Sequence, residues 1–274
     1  MVLALPIGPL AEWVESVWTA EAFGAFTREE ILPRTPTEVL FSLGDVHWLR
    51  DPAEPARDRA YTRAFVSGLQ QRPLFVESPA DSSMAGVRLR PAGAAPFLRD
   101  SPAAIAGSVV DLDDLLGAGV ESLREQLAAI PDLGHRALAL AGAVERHFER
   151  AVEPPAAIRF ALAELRRTAG QAPIGALASA SGWSHRHFRH RFREEIGLTP
   201  KAYARVARFE AAFSRLQALR RVDWAAFALD CGFYDQAHLV NEFRALAGAT
   251  PTDVFRRLAP DGLGLLVDDE RPAP

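Results

Sequence analysis

Cysteine is almost missing: Cys231 stands alone among 274 residues. One thiol excludes an internal disulfide, and with no CxxC and no Cys/His ligand cluster the expected setting is a reducing cytoplasm. Long apolar runs are missing too, none approaching the roughly 20 residues of a membrane helix. No Lys or Arg precedes Arg28, and Pro6 and Pro9 break the apolar start "MVLALPIGPLAEWVES", so neither a signal peptide nor a membrane anchor is expected. Histidine is scarce in the front half, where His47 is the only one before residue 135. A metal-dependent β-barrel enzyme clusters several histidines and carboxylates, so no metal, no cofactor and no catalytic residue is expected.

What is present suffices for one large domain or two ordinary ones, since 49% of the chain is apolar. The net charge of −4 hides an asymmetry. Residues 1–140 carry 12 arginines against 19 carboxylates, whereas 173–258 carry 13 Lys/Arg against 8 carboxylates and add four histidines. Only the second segment has the sign of a nucleic-acid partner.

The expected fold is α+β. "VESVWTAEAF", "EVLFSLGD" and "RAFVSGL" read as strands separated by Pro and Gly, giving a β-rich, barrel-like regulatory or sensing domain over 1–110. Over 111–153 apolar positions recur every three or four residues, interrupted at Pro131 and Gly134. Two helices are expected there, a connector suited to bridging domains or pairing subunits as a homodimer. "EPPA" at 153–156 stops that pattern. Residues 154–258 read as all helical, and 259–274 as a short acidic tail.

A repeat organises the helical part. "ALASASGWSHRHFRHRFREEIGLTP" and "AFALDCGFYDQAHLVNEFRALAGATP" share a small-residue helix, a Gly-aromatic turn, a second helix and a closing Gly-x-Thr-Pro. The turn glycines Gly182 and Gly232 are 50 apart and the closing glycines Gly197 and Gly248 are 51 apart, which places one extra residue, Tyr234, in the second turn. Each unit reads as helix-turn-helix. In the first, Ser184 suits an N-cap and Phe188 and Phe192 form an inward stripe. His185, Arg186, Arg189, His190 and Arg193 are left facing out, on the part of the second helix that enters the major groove. Arg186, Arg189 and His190 are candidate base readers, Arg matching guanine O6 and N7; His185 and Arg193 are candidate phosphate contacts. In the second unit Asp235 suits the cap and Leu239 and Phe243 point inward. Gln236, Ala237, Val240 and Asn241 are candidate base readers, the amides for adenine and the apolar pair for a thymine methyl, with His238 at the backbone. "PKAYARVARFEAAFSRLQAL", 200–219, starts with Pro at a first helical position and would span about 30 Å as a helix, close to the roughly 34 Å between successive major grooves on one face.

"GWSHRHFRHRFREEIGLTPKAYARVARFEAA" and "ALDCGFYDQAHLVNEFRALAGATPTDVF" resemble the DNA-binding domain of the AraC/XylS family of bacterial transcription regulators. The resemblance implies seven helices, a monomer contacting adjacent major grooves of promoter or operator DNA, and control of a promoter by recruiting or excluding RNA polymerase. "LPRTPTEVLFSLGD", "AFVSGLQQRPLFV" and "GVRLRPAGAAPFLRDSPAAIAGSVVDLDDLLG" are similar to a variant regulatory domain found ahead of this motif, one that brings no known ligand.

Competing readings are weaker on the residues. His187 and His190 share a helix face, but their neighbours are mostly Arg, which repel a cation. Cys231 suits packing better than redox chemistry. "DLDDLLG" is better explained by Asp111 or Asp113 capping a helix than by acid/base work. "RLRPAGAAPFL" reads as strand, turn and helix rather than a phosphate loop. Trp13, Trp18 and Trp48 suit core filling more than a ligand pocket. The functional expectation is a cytoplasmic, non-enzymatic, sequence-specific DNA-binding regulator controlled by a small molecule or partner at the front domain. The alternative is an enzyme or DNA-repair protein fused to such a domain, for which Cys231 is poorly placed.

Overall fold

Strand alternation does two jobs in the front half, because one sheet is covered on both faces. The computed structural model describes residues 1–6, 8–22, 27–44, 46–51, 54–257 and 265–266. Ten strands lie ahead of the helical part: β1 Val2–Ala4, β2 Val14–Ala22, β3 Thr27–Ile31, β4 Thr37–Ser42, β5 His47–Arg50, β6 Arg59–Tyr61, β7 Ala64–Ser67, β8 Leu74–Ser78, β9 Ser82–Leu89 and β10 Val109–Asp111. They form two antiparallel sheets, in the order β1-β2-β9-β4-β7-β10 and, with β11 at Leu265–Leu266, β11-β3-β8-β5-β6. The three strands read from the sequence are β2, β4 and β7.

On the six-stranded sheet, Val17, Val39, Val66, Ala85 and Val87 are at most 1% exposed and share a core with helices that lie against this face. Those helices are α1 Ala94–Leu98, α2 Asp113–Leu116, α3 Gly119–Ala128 and α4 Leu133–Phe148. Thr19 fixes α4 by donating its Oγ1–H to the Leu133 carbonyl at 2.8 Å. Between Val14 and Ser16 the β2–β9 register shifts by a bulge. Their alternate neighbours, among them Ser16, Trp18, Leu40 and Phe65, line a space facing the second sheet.

The expected pair of connector helices is three, and Gly134 does not interrupt them. It lies in the first turn of α4, where Asp132 caps by accepting from the His135 N–H at 2.8 Å. The break falls at 129–132, around Pro131. Neither Asp111 nor Asp113 caps α2: Asp111 ends β10, the N-cap position is Leu112, and Asp113 sits in the first turn 3.6 Å from Arg63. "RLRPAGAAPFL" forms the end of β9, a turn of 3₁₀ helix at Pro91–Gly93 and α1, as read.

Past the prolines of 154–155 come α5 Ala156–Arg167, α6 Ile174–Ala180, α7 His185–Ile196, α8 Pro200–Gln217, α9 Trp224–Asp230, α10 Gln236–Ala247 and α11 Pro251–Arg256. Ile158, Leu165, Phe192, Phe209, Leu216 and Phe243 are buried in their common core. Leu32 and Leu69, from loops of the strand region, are buried in it as well. Polar ties join the two regions: the Ser101 hydroxyl donates to the Glu194 carbonyl at 3.1 Å, and Arg257 pairs with the buried Glu30 of β3. The tail expected over 259–274 lies outside the described residues except for Leu265–Leu266, which pair with Glu29 and Glu30 of β3.

Candidate nucleic-acid interface

The first unit is α6, a turn and α7. Gly182 makes the turn with φ +70°, a left-handed conformation that glycine adopts without penalty. The Ser184 hydroxyl then accepts from the His187 N–H at 3.2 Å, so the expected cap is in place. Phe188, Phe192 and Ile196 bury one side of α7. His185, Arg186, Arg189, His190 and Arg193 are all exposed, and no hydrogen bond or ion pair occupies their side chains among the described residues. Arg186, Arg189, His190 and Arg193, with Ser184, His187 and Thr199, line an open concavity of about 520 Å³. Arg191 differs: it turns back along the helix to Glu195 at 2.6 Å. His187 places its ring edge-on to Trp183 at 4.9 Å.

The second unit, α9 to α10, repeats this with one more residue. Asp223 caps α9, Gly232 turns at φ +76°, and the Phe233 N–H donates to the Ala228 carbonyl at 2.9 Å while its ring is buried. Tyr234, the extra residue, is 84% exposed. Asp235 caps α10 by accepting from the His238 N–H at 2.7 Å. Gln236, Ala237 and Asn241 are exposed, whereas Val240 is half-buried. His238 is engaged in the turn: its Nδ1 accepts from the Tyr234 N–H at 3.1 Å, its ring stands edge-on to Phe233, and its Nε2 lies 3.9 Å from Glu242. Lys201, Arg220, Arg221 and Arg244 are further exposed cations with no partner among the described residues. Lys201, Arg220 and Arg221 carried no sequence signal of their own, because they stand outside the repeat; Arg244 is the counterpart of Arg193, 51 residues on, and the repeat itself marks it.

What joins the units is α8, an unbroken helix of 18 residues and so about 27 Å long. Thr199 caps it and Pro200 occupies its first turn. Tyr203 meets Phe192 of α7 edge-on at 5.7 Å, and Phe209 meets Phe243 of α10 edge-on at 4.9 Å. The buried Tyr203 hydroxyl is held protonated, since burial pushes its pKa upward. Arg205 pairs with Glu242 of α10, and Arg215 with Asp230 of α9 at 2.7 Å. The helices α7 and α10 are thus fixed to one rod by Tyr203, Arg205 and Phe209.

Elsewhere, no group of three or more metal-ligating residues occurs among the described residues. Among those residues, no helix is long and apolar enough to cross a membrane. Cys231 is buried at the end of α9, and burial pushes its thiol up, away from the reactive thiolate. Trp13 packs on Phe148 at 5.5 Å, but Trp18 and Trp48 line the space of about 410 Å³ between the two sheets. For those two, core filling gives way to a cavity wall.

Two capped helix-turn-helix units on a shared rod, behind a two-sheet domain, define a DNA-binding regulator by fold and exposed chemistry. Residues 177–257 match the family model described as a helix-turn-helix domain, of AraC type, and residues 4–111 match a domain of unknown function, DUF6597. By these matches the chain carries an AraC-type helix-turn-helix domain, the DNA-binding part of a transcription regulator. Among curated proteins none matches it. Of solved structures, ToxT from Vibrio cholerae is similar at 10% identity and a TM-score of 0.44, over 88% of this chain and 96% of that one. Wild-type ToxT from Vibrio cholerae strain SCE256, with unsaturated fatty acid bound, has 10% identity and a TM-score of 0.43, over 87% and 93%. The AraC-like transcriptional activator CuxR has 17% identity and a TM-score of 0.29, over 78% and 86%.

Proposed function

We propose that the protein reads two adjacent major grooves of a promoter or operator, one with each unit, and acts without catalysing a reaction. The observation that carries this is the pair of capped helices α7 and α10, whose N-terminal faces are exposed and unlike in chemistry while α8 holds both. Arg186, Arg189 and His190 read bases at one half-site; Gln236, Ala237, Asn241 and the half-buried Val240 read the other. His185 and Arg193 contact phosphates beside the first helix, and His238 reaches the backbone only through the N-terminal turn it braces. Regulation passes from a small molecule or partner at the strand domain of 1–110 to the helical domain of 154–258. The helices of 111–153 offer a surface for a second copy, and RNA polymerase is the downstream partner. Double-stranded DNA and RNA polymerase put the protein in the cytoplasm.

A gel shift with the region upstream of its own operon tests this. Saturable binding that falls steeply with salt is expected, since neutralised phosphates release counterions. Binding that ignores salt, or that unrelated duplex competes equally well, would sink the reading.

A further inference from the structure

The space between the sheets is walled by apolar side chains that folding leaves partly uncovered. Trp18, Leu40 and Phe65 line it from one sheet and Leu49, Leu74 and Val76 from the other, all half-buried. Their neighbours one residue along, such as Val17, Val39 and Val66, are completely buried. The indole of Trp18 lies flat on Gly86, where a Cβ would come within 2.4 Å of the ring. That close approach holds the ring against its own sheet and keeps the space open. At about 410 Å³ it falls in the range of small-molecule sites.

Polar groups at the wall set the chemistry of an occupant. The Ser16 hydroxyl, on a residue 4% exposed, has no hydrogen-bond partner among the described residues, an uncommon state for a buried polar atom. Two guanidiniums reach the space, and both are already matched. Arg88 is held by Glu38 at 2.7 Å with Glu15 at 3.8 Å, and Arg34 by Glu210 at 3.4 Å. The other formal cation among the described lining residues is the ammonium of Met1, 71% exposed and so screened by water. No buried unmatched cation is left there for a carboxylate or phosphate, and Glu38 is taken by Arg88.

The same wall touches the DNA-reading part. Leu32, Arg34 and Pro36 line the space, while Leu32 is also buried in the helical core. Thr35, between them, donates its N–H and its hydroxyl to Glu210 Oε2 of α8 at 3.0 and 2.7 Å. One five-residue segment is therefore both cavity wall and clasp on the rod that carries both reading helices.

We propose that this cavity takes a neutral, mainly apolar, ring-bearing small molecule with a group that hydrogen-bonds Ser16, and that its filling is passed to α8 by 32–36 through Glu210. This rests on the reading of the strand domain as the effector domain.

The test uses the full chain and two dyes, neutral N-phenyl-1-naphthylamine and anionic 8-anilinonaphthalene-1-sulfonate. The neutral dye should bind one to one with enhanced fluorescence, and the sulfonate should fail to displace it. Leu40→Trp and Met84→Trp, each checked for cooperative unfolding and for retained DNA binding, should weaken the neutral dye about tenfold or more by filling the space. Dye should slow amide exchange in 32–36 and around Glu210; Glu210→Ala should abolish the effect on α8 while dye still binds. Absence of neutral-dye binding, equal displacement by the sulfonate, or protection that stops at the sheets would overturn the proposal. A chain that fails here but shifts operator DNA leaves the DNA reading standing; one that passes here but shifts no DNA sinks that reading and not the site.

Discussion

Among the side chains of α7 and α10 that no other described residue engages, Arg186 and Gln236 are expected to discriminate bases. Arg186→Ala should cost about 1–3 kcal/mol at one half-site and relax selectivity there, and Gln236→Ala should do the same at the other. Measuring each variant against operators mutated in one half at a time checks this; equal weakening on every sequence would reduce that residue to a backbone contact. His147 supplies a pH prediction. Its Nε2 meets the Phe97 carbonyl of α1 at 2.7 Å, and burial lowers its pKa from the ordinary 6.5 despite that carbonyl. The folded state therefore prefers the neutral ring. Its contribution is complete above the ordinary value and is lost as pH falls through it toward the lowered value. Thermal midpoints measured downward from neutral pH should decline in that window, and His147→Gln should flatten this part of the profile.

At the scale of elements, α8 is the part on which both units depend. Phe209 is 1% exposed and packs on Phe243, so Phe209→Ala should destabilise the helical domain by about 3–5 kcal/mol. Denaturant midpoints would show it, and both half-sites should suffer together, unlike the reading-face variants. Elements of this kind were legible beforehand. The caps Ser184 and Asp235, the turn glycines, the extra Tyr234 and the inward phenylalanines all follow from spacing within a few residues. Contacts across the chain were not: Glu210 meets Thr35 from 175 residues away, and nothing near either residue marks the pairing. Local rules also failed where the helix began one residue away from the expected start. Asp113 does not cap α2 because it is the first helical residue, and the Leu115 and Leu116 N–H groups that a cap there would take donate to the Leu112 carbonyl at 3.1 and 2.9 Å. Trp18 escaped the core because it stands on the second face of a sheet whose first face the helices fill.

Over the whole molecule, an acidic strand region and a basic helical region share buried side chains and ion pairs, so neither is presented to DNA independently of the other. Phosphate contacts from α7 and from exposed cations such as Arg220 and Arg221 should give a steep salt dependence, and Arg193→Ala should reduce that slope by about one without changing sequence preference. Titrations at several salt concentrations measure it. The central claim, two unlike units reading successive grooves from one rod, is tested most directly by footprinting the full chain on its operator beside Arg186→Ala and Gln236→Ala. The account predicts two protected patches about one helical turn apart on one face of the duplex, the first fading in Arg186→Ala and the second in Gln236→Ala. A single patch, or both patches fading equally in either variant, would contradict it.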